Sequence, residues 1–332
     1  MKDITIQDIA TVANVSKSTV SRVLNNTAVV HPDKKKAVLQ ASARLGFEPN
    51  VVARSLAKGQ SMTIGVQTQC IGSPFYDVIS QGLVTGLGNT GYSPMFVNGQ
   101  WESEKEVSAI RTLLGRRVDG LVVIGGVTPA DELLEVCGTT PMVAVARNVL
   151  GRSEHSIFVD NVDGGYQATK HLIEHGHRKI AVVRGIDHHP DAIDRFKGCK
   201  KALAEANIEL EPGLILSGDF SAESGVEAVN TLIHQKREFT AIFAANDMTA
   251  FGARLALHQH GKRVPEDVSI VGFDDQAEAA FMTPPLTTMR QPATEMGERA
   301  AKAILALIRD DSVESQPLTS TLQIRDSVAR LT

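Results

Sequence analysis

Histidines 171, 175 and 177 are residues whose spacing could do chemistry, since His171 and His175 stand one helical turn apart, as two metal ligands on one helix face must. Zinc proteases place a glutamate directly after the first histidine, but Leu172 stands there, and His175 and His177 straddle Gly176, a residue that would stop a helix. No metal is expected. Asp274 and Asp275 suggest an acid/base pair, yet neighbouring side chains diverge and no nucleophile constellation accompanies them. Gly82, Gly86 and Gly88 fit neither phosphate-loop pattern. Cys70, Cys137 and Cys199 are odd in number and far apart, without a C-x-x-C pair, which fits reduced thiols rather than a disulfide framework or a zinc finger. Neither an enzyme nor a cofactor is expected.

What remains is charge. The chain has 332 residues, 42% of them hydrophobic, with a net charge of -4. That length suits two or three domains, each with a substantial core. No apolar run reaches the ~18 residues a membrane span needs, and Met1 to Thr5 open no signal-peptide core, so a soluble cytoplasmic chain is expected. Residues 1–60 carry nine basic and four acidic side chains, a net of +5, and the remainder carries -9. A basic head on an acidic body is the footprint of polyanion binding by the head alone.

The elements behind this division follow from patterning. Thr5 with Asp8 reads as a capping box opening a helix through Ile6, Ile9, Ala10 and Ala13. Asn14 suits a left-handed turn, Val15 plugs the angle between helices, and Ser16 caps a second helix with Val20, Val23 and Leu24 inward. A third helix starts at Pro32 and stops at Gly46, and Asn50 caps a short fourth over Val51 to Lys58, too short to be stable alone. From Met62 onward, apolar runs at 63–66, 120–124, 142–145, 180–183, 241–244 and 268–271 alternate with amphipathic stretches. The alternation implies an α/β body of two doubly wound parallel-sheet lobes behind a small all-α head.

The head segments Thr5-Ile6-Gln7-Asp8-Ile9-Ala10, Asn14 to Asn25 and Pro49 to Leu56 resemble those of the lactose-repressor/galactose-repressor family of bacterial transcription regulators. So do Ser73-Pro74-Phe75-Tyr76, His171 to Arg178, Asn246 to Gly252, Pro265 to Asp275 and Pro284 to Pro292 in the body. The resemblance covers essentially the whole chain. It implies a helix-turn-helix domain over 1–48, a hinge helix and linker over 49–61, and an effector-binding and dimerisation domain over 62–332 similar to periplasmic sugar-binding proteins. The N-lobe would comprise about 62–160 and 291–321, the C-lobe about 161–290 and 322–332, with crossings near Asp160, Arg290 and Leu322. With no C-terminal heptad segment before Thr332, a homodimer is expected.

In such a head the second helix enters the major groove N-terminus first, which places Lys17 and Ser18 nearest the base edges with Arg22 one turn on. Lys17 and Arg22 can donate to guanine, whereas Thr5, Ser16, Thr19, Ser21 and Asn25 suit phosphates. The family's hinge leucine matches Leu56, a wedge for the minor groove at the centre of a pseudo-palindromic operator with a central C-G step, flanked by Ala53 and Arg54. In the body, Arg195, Asn246 and Asp274 match positions that contact a small sugar-like effector, and Phe220 matches one that stacks on a sugar ring. Phe75, Tyr76, His189 and Asp191 come from loops on the same cleft. Many members have aspartate where this chain has Ala146, and Arg147 stands ready to intrude. The function implied is a repressor of carbohydrate-metabolism genes controlled by that effector. The alternative is a global regulator of the same fold controlled by a phosphorylated partner protein.

Overall fold

The computed structural model describes residues 4–25, 28–47, 60–149, 155–313 and 318–331. The chain divides into two compact units, Met1–Ser61 and Met62–Thr332. The first unit contains α1 (Ile6–Val12), α2 (Lys17–Asn25) and α3 (Pro32–Leu45). Thr5 Oγ1 accepts the Asp8 N–H at 3.4 Å while Asp8 Oδ2 accepts the Thr5 N–H at 2.8 Å, satisfying orphan donors at the start of α1 reciprocally. Asn14 turns the chain at φ 50°, a region that asparagine tolerates better than most residues. Ile9, Ala10, Val20, Val23, Val38 and Ala41 form the common core. The hinge residues Asn50, Ala53, Arg54 and Leu56 lie outside the described residues.

The second unit begins with β1 (Thr63–Thr68), α4 (Pro74–Leu87), β2 (Ser93–Asn98), α5 (Ser103–Gly115), β3 (Gly120–Ile124), α6 (Ala130–Cys137), β4 (Met142–Val145) and β5 (Ser156–Ile157). It continues with α7 (Asn161–Glu174), β6 (Ile180–Val183), α8 (Pro190–Glu205), β7 (Ile215–Leu216), α9 (Ala222–His234), β8 (Ala241–Ala244), α10 (Asp247–Gln259), β9 (Ser269–Asp274) and β10 (Thr287–Arg290). Then α11 (Ala293–Ile308) returns to pack on α4, and β11 (Thr321–Gln323) pairs antiparallel with β10. The strands form two sheets, in the orders β2-β1-β3-β4-β5 and β11-β10-β9-β8-β6-β7, parallel apart from β11. Three passages of the chain therefore join the lobes.

Burial explains which elements form. Strands β3, β4, β6 and β8 are buried at every residue, as parallel strands covered on both faces must be. The α4–α11 contact depends on small residues: a Cβ on Gly82 would lie 2.3 Å from the Thr294 carbonyl oxygen and one on Gly297 2.0 Å from that of Ile79. The sheet edges are β2, β5, β7 and β11, and none of these strands coincides with an apolar run read from the sequence. Strand β2 has exposed and half-buried residues but no fully buried one, and it accommodates Pro94, which an edge strand tolerates. No helix among the described residues is long and apolar enough to cross a membrane.

Candidate functional site

On α2 the core residues Val20 and Val23 hold the helix down, so Lys17, Ser18 and Arg22 stand exposed on its outer side and Thr19 and Ser21 are half-buried. Ser16 Oγ accepts the Thr19 N–H at 3.2 Å and lies 2.8 Å from both Ser18 Oγ and Thr19 Oγ1. The N-terminus of α2 is thus capped and ringed by hydroxyls, a surface that suits phosphate oxygens. Thr5 is exposed at the start of α1, and Asn25 is the last residue of α2. In the head, His31 Nδ1 lies 3.5 Å from Asp33 Oδ2.

In the body, the C-terminal ends of the strands of both lobes frame a cavity of about 210 Å³. Phe75, Tyr76, His189, Asp191, Arg195, Phe220, Asn246 and Asp274 all line it. Five rings run in sequence along its wall, with centroids 5.2 Å apart for Phe75–Tyr76, 5.4 Å for Tyr76–Trp101, 4.7 Å for Trp101–His189 and 5.3 Å for His189–Phe220. Trp101 belongs to the first lobe and His189 to the second, so the rings bridge the cleft. Phe220 is half-buried against Gly185 and faces the cavity rather than the core.

The polar side is organised around Arg195, which is 4% exposed. Its Nε donates to Asn161 Oδ1 at 2.8 Å, its Nη1 to the Ala245 carbonyl at 2.6 Å, and Asp274 Oδ1 lies 3.6 Å from Nη1. The guanidinium stacks on Phe273 at 3.7 Å. Asp274 also accepts from Gln291 Nε2 at 2.8 Å, and burial outweighs Arg195 to raise its carboxyl to about 6. Asn246 accepts the Thr249 N–H, capping α10, and donates to the Phe220 carbonyl. Burial also pushes the Tyr76 phenol well above its ordinary value and the His189 imidazole below, so both rings are neutral near pH 7. Asp275 points elsewhere, paired with Arg290 and Arg325 at 2.6 Å each.

Several cleft residues hold left-handed backbone: Gln100 (φ 55°), Trp101 (φ 59°), Ala146 (φ 51°), Phe220 (φ 69°), Asp274 (φ 112°) and Asp275 (φ 58°). Such conformations cost about 1–3 kcal/mol each and persist where surrounding structure over-determines them, often at ligand clamps. Ala146 is buried and brings no polar group. Arg147 lies apart from the trio and lines a neighbouring chamber, with Glu106 at 3.9 Å. Trp101, Asp219 and Gln276 line the cavity without having been singled out in the sequence; the sole tryptophan, in a loop after an unrecognised edge strand, was the one usable signal. No group of side chains suited to a metal exists among the described residues, and the His171 and His175 rings lie tilted against each other with centroids 4.3 Å apart.

A helix-turn-helix head with a basic outer side, carried on two parallel-sheet lobes around a cleft, defines a DNA-binding regulator with a body like that of the periplasmic binding proteins. Residues 5–50 match the model of bacterial regulatory proteins of the lacI family, and residues 169–328 that of the periplasmic binding protein-like domain. The transcriptional repressor PurR of Haemophilus influenzae (strain PittEE) is 38% identical over 333 residues, 98% of each chain. Among solved structures, the lac repressor dimer bound to operator and the anti-inducer ONPF aligns with a TM-score of 0.90 at 30% identity, covering 99% of this chain and 100% of that one. A transcriptional regulator CelR–cellobiose complex aligns with a TM-score of 0.72 at 31% identity, over 98% and 99%. The chain belongs to the lacI family of bacterial transcription regulators and is a DNA-binding transcriptional repressor.

Proposed function

We propose that this repressor acts as a cytoplasmic homodimer on a pseudo-palindromic operator of carbohydrate-metabolism genes, and that a small sugar-like effector in the cleft sets its operator affinity. The observation that carries this reading is the joining of Arg195, Asn246 and Asp274 beneath aromatic rings in one cavity. Hydroxyls are donors and acceptors at once, so they need such a mixture, while a ring supports the apolar face of a sugar. At about 210 Å³ the cavity is below the roughly 300–1,000 Å³ of drug-sized pockets and suits a single ring. The number of aromatic rings favours one second reading, a planar nitrogen heterocycle stacked in the same place.

Binding in the cleft would shift one lobe against the other and alter the spacing of the paired hinge segments. Coupling equals the differential affinity of the effector for the two states, and 100-fold corresponds to about 2.7 kcal/mol. Lys17 and Arg22 would read bases and the hydroxyls of α2 would hold phosphates, with Leu56 wedged at the operator centre. A footprint on DNA flanking the protein's own coding region, repeated with a panel of sugars and heterocycles, tests the reading. A protected pseudo-palindrome that one compound strengthens or releases is expected; no protected site in any condition would overturn it.

A further inference from the structure

The three passages that join the lobes are tied to one another. Val159 of the first bridges Leu318 of the third, and the Leu318 N–H donates to the Phe158 carbonyl at 2.9 Å. Arg290, the last residue of β10, pairs with Thr321 at the start of β11, which joins the second passage to the third. The passages therefore form one ribbon. The C-lobe grips that ribbon through the turn that ends β9 and continues to Gln276.

Asp275 is the middle residue of that turn, and its buried carboxylate has two cations. Its Oδ2 accepts from Arg290 Nε and its Oδ1 from Arg325 Nη2, both at 2.6 Å. Arg325 follows β11 and is fixed to the C-lobe, its Nη1 donating to the Leu286 carbonyl at 2.7 Å and its N–H to Thr287 Oγ1 at 2.9 Å. Arg290 is placed differently: its side chain is 53% exposed, and the chain runs on from it through Gln291 and Pro292 into α11 of the other lobe. The turn is held on either side of Asp275 as well. Asp274 accepts from Gln291 Nε2 at 2.8 Å, and the Gln276 N–H donates at 2.7 Å to Asp247, a fully buried carboxylate that also accepts the Thr288 hydroxyl of β10. Asp274 and Asp275 keep left-handed backbone, which persists where the surroundings over-determine it.

We propose that Asp275 is a positioning residue of this repressor, the latch that fixes the angle between its lobes through Arg290 and Arg325. The turn that lines the cavity with Asp274 and Gln276 grips the ribbon with Asp275, so a displacement of the turn reaches the passages directly. The latch biases the two lobe arrangements by the difference in strength of its ion pairs between them. This rests on the reading that lobe movement sets operator affinity, and it names the control point of that movement.

Trp101, the sole tryptophan, belongs to one lobe and its ring centroid lies 4.7 Å from that of His189 in the other, so quenching of its fluorescence by acrylamide reports the lobe angle in the full chain without ligand or DNA. Arg290→Gln should raise the quenching constant about 1.5-fold and Asp275→Asn about twofold, with Arg290→Lys close to wild type. Because Arg290 is half-exposed, its variants should keep the wild-type urea midpoint, and they decide the matter even where Asp275→Asn fails to fold. Unchanged quenching in Arg290→Gln would overturn the latch. So would a lowered urea midpoint in Asp275→Asn with unchanged quenching, the mark of a packing role alone. Titration with the footprinted operator keeps the two readings apart: raised quenching with wild-type operator affinity would leave the latch standing and remove lobe movement from control of the operator.

Discussion

Arg22 and Arg195 carry the same five-donor fork, yet one stands exposed on α2 and the other is 4% exposed, bonded to Asn161 and Ala245 and facing Asp274. The head keeps its charge unspent for a polyanion that supplies the partners. The cleft has its polar groups fixed beforehand by internal hydrogen bonds and left-handed backbone, so a ligand meets an organised site. Change in the head should therefore alter binding with little effect on folding, whereas change in the cleft should disturb both.

The largest effect expected is from Arg195→Ala, which leaves Asp274 buried without its cation and removes the bonds to Asn161 and Ala245. Urea unfolding should show a loss of about 3–5 kcal/mol; a loss below about 1 kcal/mol would mean the cleft is no more committed than the head. Next is a pH effect. Burial raises the Asp274 carboxyl to about 6. Between its ordinary value near 4 and about 6 the native state holds a proton that the unfolded chain has released, so stability falls as pH rises through that window and levels off above it. Relative to Asp274→Asn, the wild-type protein should lose roughly 2–3 kcal/mol between pH 4 and pH 6.5.

Arg22→Ala should weaken operator binding by about 1–3 kcal/mol, most at sites where it reads guanine, while the unfolding midpoint moves by no more than about 0.5 kcal/mol in free energy. Competition with variant operators and a thermal melt measure the two sides. The smallest effect is from Asn246→Ala, which removes the cap of α10 and should cost about 1 kcal/mol of stability, whereas Asn246→Asp keeps the cap and most of the stability.

The same division explains what was legible in the sequence. Helix boundaries in the head rest on local signals, the Thr5–Asp8 box, Asn14, Pro32 and Gly46, and each acts within a few residues. Buried strands such as β3 and β8 announce themselves as continuous apolar runs. Strand β2 does not, because this edge strand buries none of its residues fully, and with it went the position of Trp101. The meeting of Arg195 with Asn161, Ala245 and Asp274 spans 113 residues of chain and depends on how α7, α8 and the ends of β8 and β9 pack within one lobe, which no local pattern encodes. Family resemblance named the trio; the ring series from Phe75 to Phe220 and the separate chamber of Arg147 emerge only from tertiary packing.

Linkage between the regions is the central claim, and one measurement addresses it directly. Once a cleft ligand is in hand, its affinity should be measured by calorimetry on the full chain with and without saturating operator. Thermodynamic reciprocity requires operator to change ligand affinity by the same factor as ligand changes operator affinity, in the range of about 5–150-fold for typical coupling. An equal and sizeable factor in both directions is the expected result; a ligand affinity identical with and without operator would contradict allosteric control of this repressor through its cleft.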